Sequence, residues 1–211
     1  MNIFKLVIRN IRNYGLKNIV LMTFYETVYS LNGKFRKQIF HDESITDSYQ
    51  DISEKKINRF DGPYHPTPIY ILKLINGELK KKDLKKYTFI DFGCGAGRSI
   101  YFFRKNFERK IGIDINNGYR KFFKDDIFLN LDIRKIKTLN DISKDMNNEH
   151  FVLYFYRPIE DESVKKIIES FMKKKIVVIT INVENLGLNG LNVVYEKYFY
   201  DKKRNIIIYS N

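Results

Sequence analysis

The apolar positions divide this chain into two unlike parts. From the start to about residue 60 their spacing is helical, with Ile3, Leu6, Val7, Ile11 and Tyr14 recurring every three or four residues. Gly15 and Gly33 are suited to break or end helices, and the polar stretch 41–61 reads as loop with a short helix, a candidate lid. Asp61-Gly-Pro-Tyr-His-Pro-Thr-Pro68 then punctuates the chain. Its three prolines force an extended path, and Pro68 heads a helix expected over 69–79. Beyond it, short apolar runs alternate with amphipathic stretches. Strands are expected at 87–92, 110–115, 127–133, 150–156 and 175–181, with helices at 98–106, 119–123, 141–146 and 162–172. Two last strands, 192–200 and 204–209, flank Asp201-Lys-Lys-Arg204, which suits a hairpin turn.

This order predicts an α/β fold: a Rossmann-like, seven-stranded, mostly parallel sheet with a C-terminal antiparallel hairpin and an N-terminal helical extension. Residues 1–60 form the extension or lid, and 61–211 form the ligand-binding domain. A chain of 211 residues, 44% apolar, is long enough for one such domain and too apolar for disorder.

Charge widens the choice of partners. The net charge of +13 permits an anionic one, whether nucleic acid, a membrane surface or an acidic glycan, although the lysines are spread along the chain rather than gathered in a patch. The single cysteine, Cys94, excludes an intrachain disulfide and fits the reducing cytoplasm. His41, His65 and His150 show no metal-ligand spacing, so no metal is expected. The N-terminus is basic and apolar, but no run is long enough to span a bilayer, Glu26 interrupts the best candidate at 18–31, and no small-residue cleavage site follows. Residues 1–31 therefore read either as helix packed on the domain or as a basic amphipathic segment in peripheral contact with a membrane.

The candidate chemistry lies in Phe89-Ile-Asp-Phe-Gly-Cys-Gly-Ala-Gly97, an apolar run ending in a turn with glycines at alternate positions. Gly93, Gly95 and Gly97 let the backbone approach a ligand with no Cβ in the way. A second run, Ile111-Gly-Ile-Asp114, puts a carboxylate where it accepts hydrogen bonds from both ribose hydroxyls and repels a 2′-phosphate. A dinucleotide turn reads G-x-G-x-x-G, whereas here Arg98 holds the place of the third glycine. Asp91, two residues before the first glycine, is not needed for pyrophosphate and suits a ligand with a free ammonium group. Cys94, inside the turn, reads as a small residue close to that ligand rather than a nucleophile.

On these residues, the segment 64–132 resembles class I S-adenosylmethionine-dependent methyltransferases, with Ile90-Asp-Phe-Gly-Cys-Gly-Ala-Gly97 as their first motif. The resemblance implies S-adenosylmethionine as cofactor, Asp91 toward its ammonium, Asp114 on its ribose and Asp132 near its adenine amino group. Pro63-Tyr-His-Pro-Thr-Pro68 is similar to a Tyr-x-Pro-Thr element of small bacterial methyltransferases associated with surface polysaccharides, which implies Tyr64 and Thr67 at the methionine end; a purely structural turn is the alternative.

After the fourth parallel strand, amino-group methyltransferases often carry Asn/Asp-Pro-Pro-Phe/Tyr. This chain has Phe155-Tyr-Arg-Pro-Ile-Glu160, with neither Asn nor Asp at the usual place. Tyr156 is the candidate catalytic residue, since sites in such sheets lie beyond the carboxyl ends of the strands. His65, Asp132 and Glu160 are further candidates for a general base, and Arg157 suits an anionic acceptor. The leading expectation is a methyltransferase acting on a glycan or glycan precursor, free or lipid-linked. Protein lysine, RNA and a non-catalytic scaffold are the alternatives.

Overall fold

The computed structural model describes residues 3–31, 66–142, 149–156, 159–184, 186–201 and 203–211, the side chains of 3–6 excepted. Helices α1 (Ile3–Tyr14) and α2 (Leu16–Ser30) are separated at Gly15, which has φ 79°. Helix α3 (Ile69–Leu79) starts at Pro68 and leads to β1 (Thr88–Phe92), α4 (Arg98–Phe102) and β2 (Arg109–Asp114). Then follow β3 (Ile127–Asn130), β4 (His150–Tyr156), α5 (Asp161–Ser170), β5 (Lys175–Ile181), β6 (Asn192–Tyr198) and β7 (Asn205–Ser210).

The seven strands form one sheet in the order β3-β2-β1-β4-β5-β7-β6. Strands β1 to β5 are parallel, β7 runs antiparallel to β5, and β6 runs antiparallel to β7. This is the sheet the apolar pattern predicts. The central strands read as nearly unbroken apolar runs because helices cover both faces. On one face Phe89, Val152, Tyr154, Val177 and Ile179 meet α3, α4 and, through Met22, α2. On the other, Ile90, Leu153, Phe155 and Val178 meet Val164, Ile167 and Ile168 of α5. Strand β1 lies between β2 and β4, so the strand order reverses beside it and opens a crevice at the carboxyl edge of the sheet.

Several elements are shorter than expected. The helix over 98–106 stops at Phe102, because Phe103 and Phe107 both turn into the core against Phe89, with ring centroids 5.5 and 5.0 Å away. The strand over 127–133 ends at Asn130: the Leu131 N–H turns to the Asp114 carbonyl, and Asp132 caps a single 3-10 turn, Ile133–Lys135. The helix over 119–123 is a 3-10 turn, Asn117–Phe122, capped by Asn116. The helix over 141–146 is replaced at its start by the 3-10 turn Leu139–Asp141, and 143–148 lie outside the described residues. Asp201 closes the β6–β7 hairpin as expected, accepting the Arg204 N–H at its carbonyl and the Lys203 N–H at its side chain. Gly33 and the stretch 41–61 lie outside the described residues.

Candidate functional site

The glycine turn leaves β1 with Gly93, Gly95 and Gly97 at φ 82°, 50° and 78°, the left-handed region where a side chain is strained. Backbone bonds fasten it to β2. The Gly93 and Cys94 N–H groups donate to the Ile113 carbonyl at 2.8 and 3.1 Å. The Gly95 N–H donates to one Asp114 carboxylate oxygen at 3.0 Å, and the Asn116 N–H donates to the other at 2.9 Å. Burial raises the Asp114 pKa above the ordinary carboxylate value, while the N–H groups of Asn116, Gly95 and Ile115 pull it back. Asp114 thus sits at the tip of β2, tied to the turn, with lone pairs left for further donors.

Gly112, on β2, serves packing. A Cβ there would lie 2.4 Å from the Phe123 ring and 2.7 Å from Cys94 Sγ. Cys94 is buried, and burial pushes its thiol up, with Asp91 and Asp114 adding to the shift. That suits a small packing residue rather than a nucleophile.

Asp91 occupies the end of β1 on the α3–α4 face. It is buried, accepts a hydrogen bond from Ser99 of α4, and is paired with no cation among the described residues. Burial raises its pKa to about 7; the Ser99 bond opposes the shift and the Asp114 charge adds to it. A buried carboxyl with no cation beside it fits a ligand bringing an ammonium group.

Of the other expected contacts, Tyr64 lies outside the described residues. Thr67 is buried just before α3, and its hydroxyl is 2.7 Å from the Tyr154 hydroxyl. Asp132 stands beyond β3, half-buried, with both carboxylate oxygens bonded to Arg134 at 2.8 and 3.1 Å, which holds its pKa below the ordinary value. An adenine amino group there would share those oxygens. Ile115, immediately after Asp114, is an apolar side chain left 54% exposed.

The β4–β7 half of the edge has a different character. Burial first, then the neighbouring Tyr14 with its hydrogen bond, pushes the Tyr156 phenol well above the ordinary tyrosine range, while Arg204 and Arg98 partly offset this. Tyr156 therefore holds its proton more tightly than an ordinary tyrosine. Arg204, from the hairpin, lies 6.0 Å from the Tyr14 ring centre. Among the described residues no carboxylate pairs with it, and its buried Nε has no hydrogen-bond partner. Asn182, following β5, has φ 56°, and its side-chain oxygen is likewise buried without a partner, as is that of Asn205 at the start of β7. His65, Arg157 and Pro158 lie outside the described residues, and Glu160 is exposed at the start of α5.

Two links between distant parts escape the sequence reading. Glu26 of α2 binds buried Arg98 at 2.9 and 3.1 Å and also accepts the Ile69 N–H at the head of α3. The acid that interrupts the apolar run 18–31 thus neutralises the arginine beside the glycine turn. The usable signal was the acid itself, since a carboxylate in an apolar helix needs a partner. Arg204 carried no such signal. Among the described residues, no cluster of His, Cys, Asp and Glu could hold a metal ion.

No protein-family model matches the chain, and no curated protein matches its sequence. Solved structures do resemble it. A putative methyltransferase from Escherichia coli is 11% identical, covers 70% of this chain and 87% of its own, and superposes with a TM-score of 0.51. The N-methyltransferase NodS from Bradyrhizobium japonicum, in complex with S-adenosylhomocysteine, is 14% identical over 77% of this chain and 97% of its own, with a TM-score of 0.48. A putative methylase from Haemophilus influenzae is 14% identical over 69% and 99%, with a TM-score of 0.49. At these identities the likeness is one of fold. The chain has the class I methyltransferase fold, a Rossmann-like sheet closed by an antiparallel hairpin.

Proposed function

We propose that this protein is an S-adenosylmethionine-dependent methyltransferase whose acceptor carries an anionic group, a glycan or glycan precursor, free or lipid-linked, being the first choice. The observation that carries the reading is the pair Asp91 and Asp114 around the left-handed glycine turn. One is a buried carboxyl with no cation beside it among the described residues, and the other is an acid fastened at the tip of β2. Asp91 would receive the cofactor's ammonium, Asp114 its ribose hydroxyls, and Ile115 a face of its adenine. Gly93, Gly95 and Gly97 leave room for its backbone contact, with Tyr64, Thr67 and Asp132 as outer contacts. The bound group supplies an electrophilic methyl on a sulfonium.

The remaining work of the chain is alignment and exclusion of water. Tyr156 orients the acceptor through its neutral hydroxyl, and Arg204 attracts the acceptor's anion, a uronate or phosphate. The glycan class rests on the resemblance of 63–68 to polysaccharide-associated enzymes and agrees with Arg204, which pairs with no carboxylate among the described residues. A second reading, an RNA acceptor, draws on the net charge of +13.

The first test is calorimetry with S-adenosylmethionine and S-adenosylhomocysteine. Absence of binding to either overturns the reading. Where they bind, transfer of labelled methyl into isolated free and lipid-linked glycans supports the glycan class, and transfer into RNA alone replaces it with the second reading.

A further inference from the structure

We propose that the outer face of α2 docks on an anionic lipid surface. Its inner face is already used. Met22 is buried, Tyr25 stacks on Tyr70 of α3, Glu26 holds Arg98 and the Ile69 N–H, and Asn18 accepts the Tyr70 hydroxyl. The outer face carries Leu16, Val20, Phe24 and Val28 at successive four-residue steps, with Leu31 just past the helix. Four-residue steps advance only about 40° each round a helix, so these side chains share one broad, inclined face. These side chains are 64%, 58%, 56%, 44% and 81% exposed. A helix apolar on both faces is ordinarily covered on both, and the stripe extends for roughly 20 Å.

Charge selects the occupant. Glu26 is the sole acid between residues 1 and 31, and it points inward at Arg98. Arg9, Arg12 and Lys17 are exposed, and no acidic residue occurs in α1, where Val7 and Ile8 are also exposed. Within residues 1–31 the apolar stripe is accompanied by cations and by the neutral, exposed Thr23 and Thr27, with the one acid turned inward. That balance matches the surface of an anionic bilayer, with apolar side chains entering the acyl boundary and cations at the headgroups. A second copy of the chain would bring like charges together. Among the described residues no helix is long and apolar enough to cross a membrane, so this helix lies along the surface. Docking there needs neither the cofactor nor the acceptor, so it stands or falls apart from the catalytic reading.

The test is co-sedimentation of the whole protein with vesicles of phosphatidylcholine and phosphatidylglycerol, against phosphatidylcholine alone. The protein is expected to pellet with the anionic vesicles and to remain free with the neutral ones. Leu16→Ser, Val20→Ser and Phe24→Ser together are expected to cut binding about tenfold or more, and Arg9→Glu with Arg12→Glu to cut it while leaving the apolar stripe intact. Because these side chains are exposed, the thermal midpoint is expected to hold, which separates lost docking from lost fold. Equal binding to both vesicles, or triple-variant binding like the wild type, overturns the proposal. So does a wild-type dimer that ignores vesicles and is dispersed by the triple variant in light scattering, since that assigns the face to a second copy.

Discussion

The two halves of the sheet's carboxyl edge are built by opposite means. On the β1–β3 half, the candidate groups belong to one continuous stretch, and their partners are near in sequence: the backbone amides of Gly95 and Asn116 donate to Asp114, and the Ser99 hydroxyl donates to Asp91. On the β4–β7 half, the groups come from four distant segments: Tyr14 on α1, Glu26 on α2, Tyr156 ending β4, and Arg204 before β7. The first half carries the carboxylates Asp91 and Asp114, and the second carries Arg204, which pairs with no carboxylate among the described residues. A cationic cofactor on one side and an anionic acceptor on the other would each meet opposite charge. The division shows that one half of the edge is fixed by a local backbone turn, whereas the other is assembled by tertiary packing of distant side chains.

The strongest way to break this comparison is to exchange damage between the halves. On the proposed reading, Asp114→Ala would remove charged hydrogen bonds to two ribose hydroxyls, each worth about 1.5–3 kcal/mol, so S-adenosylhomocysteine binding is expected to weaken about 100-fold or more by calorimetry. Arg204→Met is expected to leave that binding within about twofold, because a change near 0.4 kcal/mol is all that a twofold shift represents. If Arg204→Met abolished cofactor binding, the two halves would be one site and the comparison would fail.

A smaller effect is expected where the N-terminal helices join the halves. Glu26→Gln leaves the Arg98 guanidinium, whose side chain is 6% exposed, without its carboxylate. Stranding a buried charge costs about 3–5 kcal/mol, but Glu26 is 30% exposed and water relieves part of this. About 2 kcal/mol is therefore expected, lowering the thermal midpoint by about 4–8 °C. The double variant Glu26→Gln with Arg98→Met is expected to recover much of it, because no charge is then left alone. A full loss in the double variant would mean that the pair acts by packing, not by charge.

The same division governs how much was legible from sequence. The sheet and the turn follow from neighbours in the chain: apolar runs specify buried strands, and alternate glycines specify left-handed backbone, so Asp91, Gly93, Gly95, Gly97 and Asp114 are read together. Element ends were less legible, because long-range bonds stop them. Strand β3 ends where the Leu131 N–H finds the Asp114 carbonyl, and α4 ends where Phe103 finds Phe89. The Glu26–Arg98 pair spans 72 residues, and no local pattern specifies its partner. Arg204 was hidden for a related reason. In sequence it belongs to a hairpin turn, and only the antiparallel return of β7 against β5 brings it to the edge that β4 shares.

The finest test concerns the proton on Asp91. Its folded-state pKa is raised to about 7, chiefly by burial, from the ordinary aspartate value of 3.8. Between those values the folded protein retains a proton that the unfolded chain has released, so apoprotein stability is expected to fall as pH rises through that window and to level off above about 7. Asp91→Asn removes the group and should flatten that part of the profile in thermal melts at a series of pH values. Cofactor affinity should move the other way, strengthening as pH rises toward 7 because the ammonium needs the ionised carboxylate, by at most about tenfold per unit. Ser99→Ala sharpens the point. The Ser99 hydroxyl stabilises the charged form, so its loss should move both inflections upward without erasing them. An unchanged inflection in Ser99→Ala, with a flat profile in Asp91→Asn, would mean that burial and the Asp114 charge set this proton without Ser99.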